Sequence, residues 1–135
     1  MKKLLSTKYS AGTFNVAMLL LRFGVGVLMI NHGYDKLIHF SAMKADFMNF
    51  LGLGNSISLT LVVFAEFFCS LFIIIGLFTR LSAVPLIITM AVALFMVFKG
   101  DVFGKGELPA LYLAVYVVLL LLGPGKISVD GMTGK

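Results

Sequence analysis

Two charged residues stand inside long apolar runs. Arg22 interrupts the run over residues 14–31, and Glu66 interrupts the run over residues 57–78. In hydrocarbon a lone charge costs on the order of 3 kcal/mol or more, so such residues face a bundle interior, a cavity or each other. If the two runs are antiparallel helices, each charge lies about nine residues from the same outer end, roughly 13 Å deep at 1.5 Å per residue. Matched depth predicts an Arg22–Glu66 salt bridge. Two roles stay open for it: a proton or substrate site near the midplane, or a structural pair that fixes how the helices dock.

Further polar groups gather toward the outer end. Arg22, Gly26, Met29, Gly33 and Lys36 recur at spacings of four, three, four and three, so they share one helix face. Small residues beside the charge mark that face as packed on other helices. His32 lies just off the stripe. The matching face of the second run carries Leu59, Val62, Glu66, Ser70 and Ile73. Glu107 opens the last run at the same outer face. Alone it is an acid favourable at a helix N-terminus, and it completes an outer polar cluster with His32 and Lys36 only if it meets them. His32 and His39 share a face, which suits neither bis-His haem nor a metal site without further ligands, so no metal is expected. Cys69 reads as a packing residue. Tyr112 and Tyr116, one turn apart, read as packing residues that could also line a pocket.

The elements that position these residues follow from composition. Of 135 residues, 60% are hydrophobic and 13% charged, against about half and a quarter in soluble domains. A chain this short cannot bury so much apolar surface in water. Four apolar runs, residues 14–31, 57–78, 81–98 and 108–123, approach the ~20 residues that span ~30 Å of hydrocarbon. Backbone groups in lipid must satisfy one another, so these runs are helices. The expected fold is all-α: a single-domain, integral membrane four-helix bundle over residues 1–135. Only Thr79-Arg80 separate the second and third runs, and Pro85 falls in the first turns of the third.

Between the first two runs, Phe40, Met43, Phe47, Phe50 and Leu51 recur at helical spacing, with Lys44, Asp46 and Asn49 between them. This stripe predicts either a short amphipathic helix in the interface or a loop docked on the bundle. Lys2, Lys3 and Lys8 precede an apolar run that ends at Asn31-His32-Gly33, which predicts an uncleaved signal anchor. The net charge of +5 is scattered beside apolar runs, a topology signal and not a nucleic-acid footprint. Lys2, Lys3, Lys8, Arg80, Lys126 and Lys135 on one side outnumber Lys36, Lys44, Lys99 and Lys105 on the other. Cytoplasmic termini and a multi-pass plasma (inner) membrane location are expected.

Several of these segments also resemble a known family. Leu20-Leu21-Arg22-Phe23-Gly24-Val25-Gly26, then His32-Gly33-Tyr34-Asp35-Lys36-Leu37, resembles the opening of the DoxX family. Ala65-Glu66 with Ile75-Gly76-Leu77-Phe78-Thr79-Arg80-Leu81 resembles its middle. Glu107, Leu111-Tyr112 and Gly123-Pro124-Gly125-Lys126-Ile127-Ser128-Val129-Asp130 resemble its closing pattern. The resemblance implies a four-helix membrane bundle and a link to quinone-dependent respiratory and sulfur-oxidising oxidoreductases. It supplies no catalytic residue set; Arg22, His32, Gly33, Lys36, Glu66, Arg80 and Glu107 occupy motif positions.

The leading expectation is a membrane subunit of a quinone-linked redox system. No haem, flavin, metal or thiol-pair motif is visible, so the chain would supply an apolar quinone pocket while a redox partner protein holds the electron carrier. The slot is expected in the outer half, between helices one, two and four. The alternatives are a small transporter or proton-coupled carrier built on Arg22 and Glu66, acting as a homo-oligomer, and a structural or assembly subunit without chemistry of its own.

Overall fold

The computed structural model describes residues 2–45, 47 and 52–134, residues 2 and 3 by backbone alone. The described residues form helices and turns without strands. Helix α1 (Ala11–Ile38) starts where the Ser10 side chain accepts a hydrogen bond from the Thr13 N–H, a standard N-cap. A single helical turn, α2 (Phe40–Met43), follows. Helix α3 (Asn55–Ile75) and helix α4 (Thr79–Val97) are joined by Gly76, Leu77 and Phe78. Helix α5 (Glu107–Leu122) precedes a short α6 (Val129–Met132).

Helices α1, α3 and α4, of 28, 21 and 19 residues, are long and apolar enough to cross a membrane. Helix α5 is equally apolar but has 16 residues, about 24 Å of rise. The four pack in a ring: α1 on α3, α3 on α4, α4 on α5, and α5 back on α1. Their shared interior is closed by Met29, Leu59, Ile73, Leu86, Tyr116 and Leu119, all at most 1% exposed. Leu20, Phe23, Leu28, Phe64, Phe95, Leu111 and Leu121 point outward. Exposed apolar side chains around all four helices make a surface that lipid, not water, solvates. The chain is an integral membrane helical bundle.

Three boundaries differ from the sequence expectation. Helix α1 runs to Ile38, seven residues beyond the apolar run ending at 31. Polar Asn31, His32, Asp35 and Lys36 extend the helix past the apolar run, since their lower propensities cost only tenths of a kcal/mol each in a helix already nucleated. Helix α3 stops at Gly76 (φ 75°), where the Gly76 and Leu77 N–H groups donate back to Ile73 and Phe72, a left-handed glycine stop. Thr79 and Arg80 consequently lie inside α4, and Pro85 is its seventh residue, past the first turn. Among the described residues of the expected interfacial helix, Phe40–Met43 are helical, and Phe47 is half-buried against the bundle. Asp46, Asn49, Phe50 and Leu51 lie outside the described residues.

Candidate functional site

Helices α1 and α3 touch backbone to backbone at Gly33. A Cβ there would fall 2.6 Å from the Phe67 nitrogen and 2.7 Å from the Glu66 carbonyl carbon. One turn further along α1, Lys36 reaches back, and its Nζ donates to Glu66 Oε1 at 2.6 Å. The Glu66 side chain is 5% exposed and that of Lys36 22%. A charged acceptor this deep is held by a charge-assisted hydrogen bond, while the long lysine stem keeps its ammonium near the bundle surface.

The expected Arg22–Glu66 pair is therefore replaced by two separate arrangements. Glu66 pairs with Lys36. Arg22, 0% exposed, donates through Nη1 to the carbonyls of Ile73 (3.4 Å) and Ile74 (3.2 Å), and through Nη2 to that of Ile127. The cause is register. With Gly33 against Glu66–Phe67 and Gly26 against Ile74, Arg22 stands beside the last turn of α3. Ile73 and Ile74 lie about 11 Å along α3 from Glu66. Counting depth from residue 31 placed Arg22 two turns too close to Glu66.

The end that carries both termini is closed around Arg22. Its electrostatic partner is Asp130, whose carboxylate accepts from the N–H groups of Phe78 (2.9 Å) and Thr79 (3.0 Å). Asp130 thus caps α4 from a distant part of the chain, and its own N–H donates to the Gly76 carbonyl. A Cβ on Gly76 would strike Ser128 and the Arg22 guanidinium. The polar tail is a folded plug.

At the opposite, distal end a cavity of about 350 Å³ lies among α1, α3, α4 and α5. Met29, Val62, Met90 and Leu108 give it apolar walls. His32, Lys36, Glu66, Lys105 and Tyr112 bring polar groups to it. His32 meets Tyr112 edge-on with ring centroids 6.2 Å apart, and Tyr112 stacks on the buried Tyr116. Both ends of the wall contain a π-helical turn, Phe64–Cys69 holding Glu66 and Ala93–Val97 lining the far side. Such turns add a residue and re-aim the side chains around them.

Of the expected outer cluster, His32 and Lys36 reach the cavity. Glu107 is exposed in the first turn of α5 and is absent from the lining, the placement that a helix N-terminus alone explains. His39 instead contacts Asp35, at 3.2 Å to its carboxylate. No group of three metal-ligating side chains occurs among the described residues. Cys69 is buried in the core. The sequence reading missed Lys105, Thr89 and the α4 wall; the part of α4 that lines the cavity, residues 89–97, holds no charge to mark its inward face.

The sequence model of the DoxX family matches residues 17–99, from the second turn of α1 to the end of α4. The chain belongs to the DoxX family. No curated protein and no solved structure matches it. The family match contains Arg22, His32, Lys36, Glu66 and Arg80. Glu107, Tyr112 and the plug lie beyond it, so their part in this DoxX protein rests on geometry.

Proposed function

We infer that this DoxX protein binds a quinone-type ligand in its distal cavity and serves as the membrane subunit of a redox system whose electron carrier resides in a partner protein. The observation that carries the reading is the cavity's composition: apolar walls with the Lys36–Glu66 pair, His32 and Tyr112 set into one side. A volume near 350 Å³ is at the small end of ligand sites and suits a single substituted ring. The carbonyl oxygens of such a ring accept hydrogen bonds, which Lys36 and Tyr112 can donate. Its reduction takes up protons, and a carboxylate and an imidazole are the usual groups that relay them. Reducing equivalents come from the partner. The bundle sits in the plasma membrane with cytoplasmic termini, placing the cavity toward the outer leaflet, and assembly with the partner or with further copies occurs through its lipid-facing sides.

The test is saturable binding of a quinone analogue to the purified protein, alone and with its native partners. His32→Ala and Glu66→Gln are expected to weaken binding while the helical content stays unchanged. Absence of saturable binding in both preparations would remove the quinone reading and leave a carrier or a scaffold.

A further inference from the structure

We propose that the terminal end of the bundle holds the headgroup of an anionic phospholipid between Arg80 and Lys126. A second hollow, of about 740 Å³, opens there between the start of α1, the start of α4, the end of α5 and the loop that follows. Phe14, Leu81 and Leu122 form its apolar side, and Arg80 and Lys126 its cationic side. Both cations are exposed, and neither has a carboxylate partner among the described residues.

The Arg80 guanidinium and the backbone that carries Lys126 are both positioned. The Arg80 guanidinium donates to the Leu121 carbonyl at 3.4 Å and lies against Gly123, where a Cβ would come within 3.2 Å of its Nε. Gly123 has φ 80°, so glycine satisfies both the backbone and the guanidinium at that point. The Lys126 N–H donates to Asn15 Oδ1 at 2.9 Å, which ties the loop to α1. Asp130 also borders the hollow, but its carboxylate is engaged with Phe78 N–H, Thr79 N–H and the field of Arg22.

Charge distribution selects the occupant. Among the described residues, Asp130 is the only acid at the terminal end, whereas Lys8, Arg80 and Lys126 all lie there. The distal end, by contrast, sets Asp35, Asp101 and Glu107 beside its lysines. An apolar wall at the ends of membrane helices, beside two exposed cations without a salt bridge among the described residues, fits a ligand with a negative head and hydrocarbon tails. A free anion would gain nothing from Phe14, Leu81 and Leu122. Basic pockets between helices are the usual seats of acidic lipid heads.

The experiment follows thermal unfolding of the full chain in neutral detergent, with phosphatidylglycerol or phosphatidylcholine added at equal mole fraction. Phosphatidylglycerol is expected to raise Tm saturably and phosphatidylcholine not to. Lys126→Gln should raise the half-saturating mole fraction about fivefold, the weight of one cation at a lipid surface, and Arg80→Gln with Lys126→Gln should remove the increment. Lys8→Gln, at the same end but outside the hollow, should leave it intact. The exposed Lys126 side chain makes the single variant safe for folding even where the double variant is not. Equal shifts with both lipids, an equal loss in Lys8→Gln and Lys126→Gln, or the same shift from inorganic phosphate alone would each overturn the proposal.

Discussion

Gly33→Ala isolates the contact on which the Lys36–Glu66 geometry depends. The new methyl carbon would sit 2.6 Å from Phe67 N and 2.9 Å from the Glu66 carbonyl oxygen. Both are backbone atoms of a helix and cannot swing aside as a side chain end can. Restoring an ordinary separation of 3.4 Å requires α1 and α3 to part by about 0.8 Å, an overpacking that costs about 1–3 kcal/mol. The same displacement lengthens the 2.6 Å Lys36–Glu66 bond toward the edge of hydrogen bonding. Gly24 supplies the control, since nothing lies within 4 Å of its Cβ position, and alanine there should be neutral or stabilising by up to about 1 kcal/mol. Gly26→Ala falls between them, because the atoms nearest its Cβ belong to the Ile74 side chain. The assay is unfolding of each variant in mixed micelles against mole fraction of SDS. Equal stability of Gly33→Ala and Gly24→Ala would refute the register and with it the placement of Glu66.

Three further outcomes are expected. Lys36→Met should destabilise the bundle by about 3 kcal/mol and Glu66→Gln by less, because the buried carboxylate is stranded whereas the lysine can turn to water; the double variant should recover most of the loss, read by the same SDS titration. Asp130→Ala removes two backbone caps from α4, and should cost about 2 kcal/mol and speed hydrogen exchange at Phe78 and Thr79. In a Cys69→Ala background, an impermeant thiol reagent on intact cells should label a cysteine at Lys44 and spare one at Lys3, the reverse pattern indicating inverted topology.

The spans were legible because lipid demands uninterrupted apolar length, and the buried faces because small residues and charges recur at helical spacing. Arg22, Gly26, Met29 and Gly33 are all buried, as are Leu59, Glu66, Ser70 and Ile73. Pairing was not legible, because hydropathy locates the edge of lipid while α1 continues beyond it. A seven-residue error at Ile38 was enough to join Arg22 to the wrong helix turn. The π-helical turns leave no mark in the sequence, yet one of them carries Glu66. The plug had a readable signal, a single acid at an otherwise basic end. Its partners, two N–H groups at the start of α4, could not be read from side-chain chemistry.

The plug also sets the order in which the bundle can be finished. Arg22 leaves the ribosome early, yet one of its carbonyl partners, Ile127, is 105 residues later in the chain. Asp130, which caps α4, is 51 residues downstream of Thr79. During synthesis the first helix must therefore enter the bilayer with its guanidinium incompletely matched, and α4 must start uncapped. Both deficits end together when residues 127–130 arrive and fold against Gly76. Closure of such distant contacts is slow compared with helix formation. A chain lacking residues 127–130 leaves the Arg22 guanidinium one carbonyl short and the Phe78 and Thr79 N–H groups without their carboxylate.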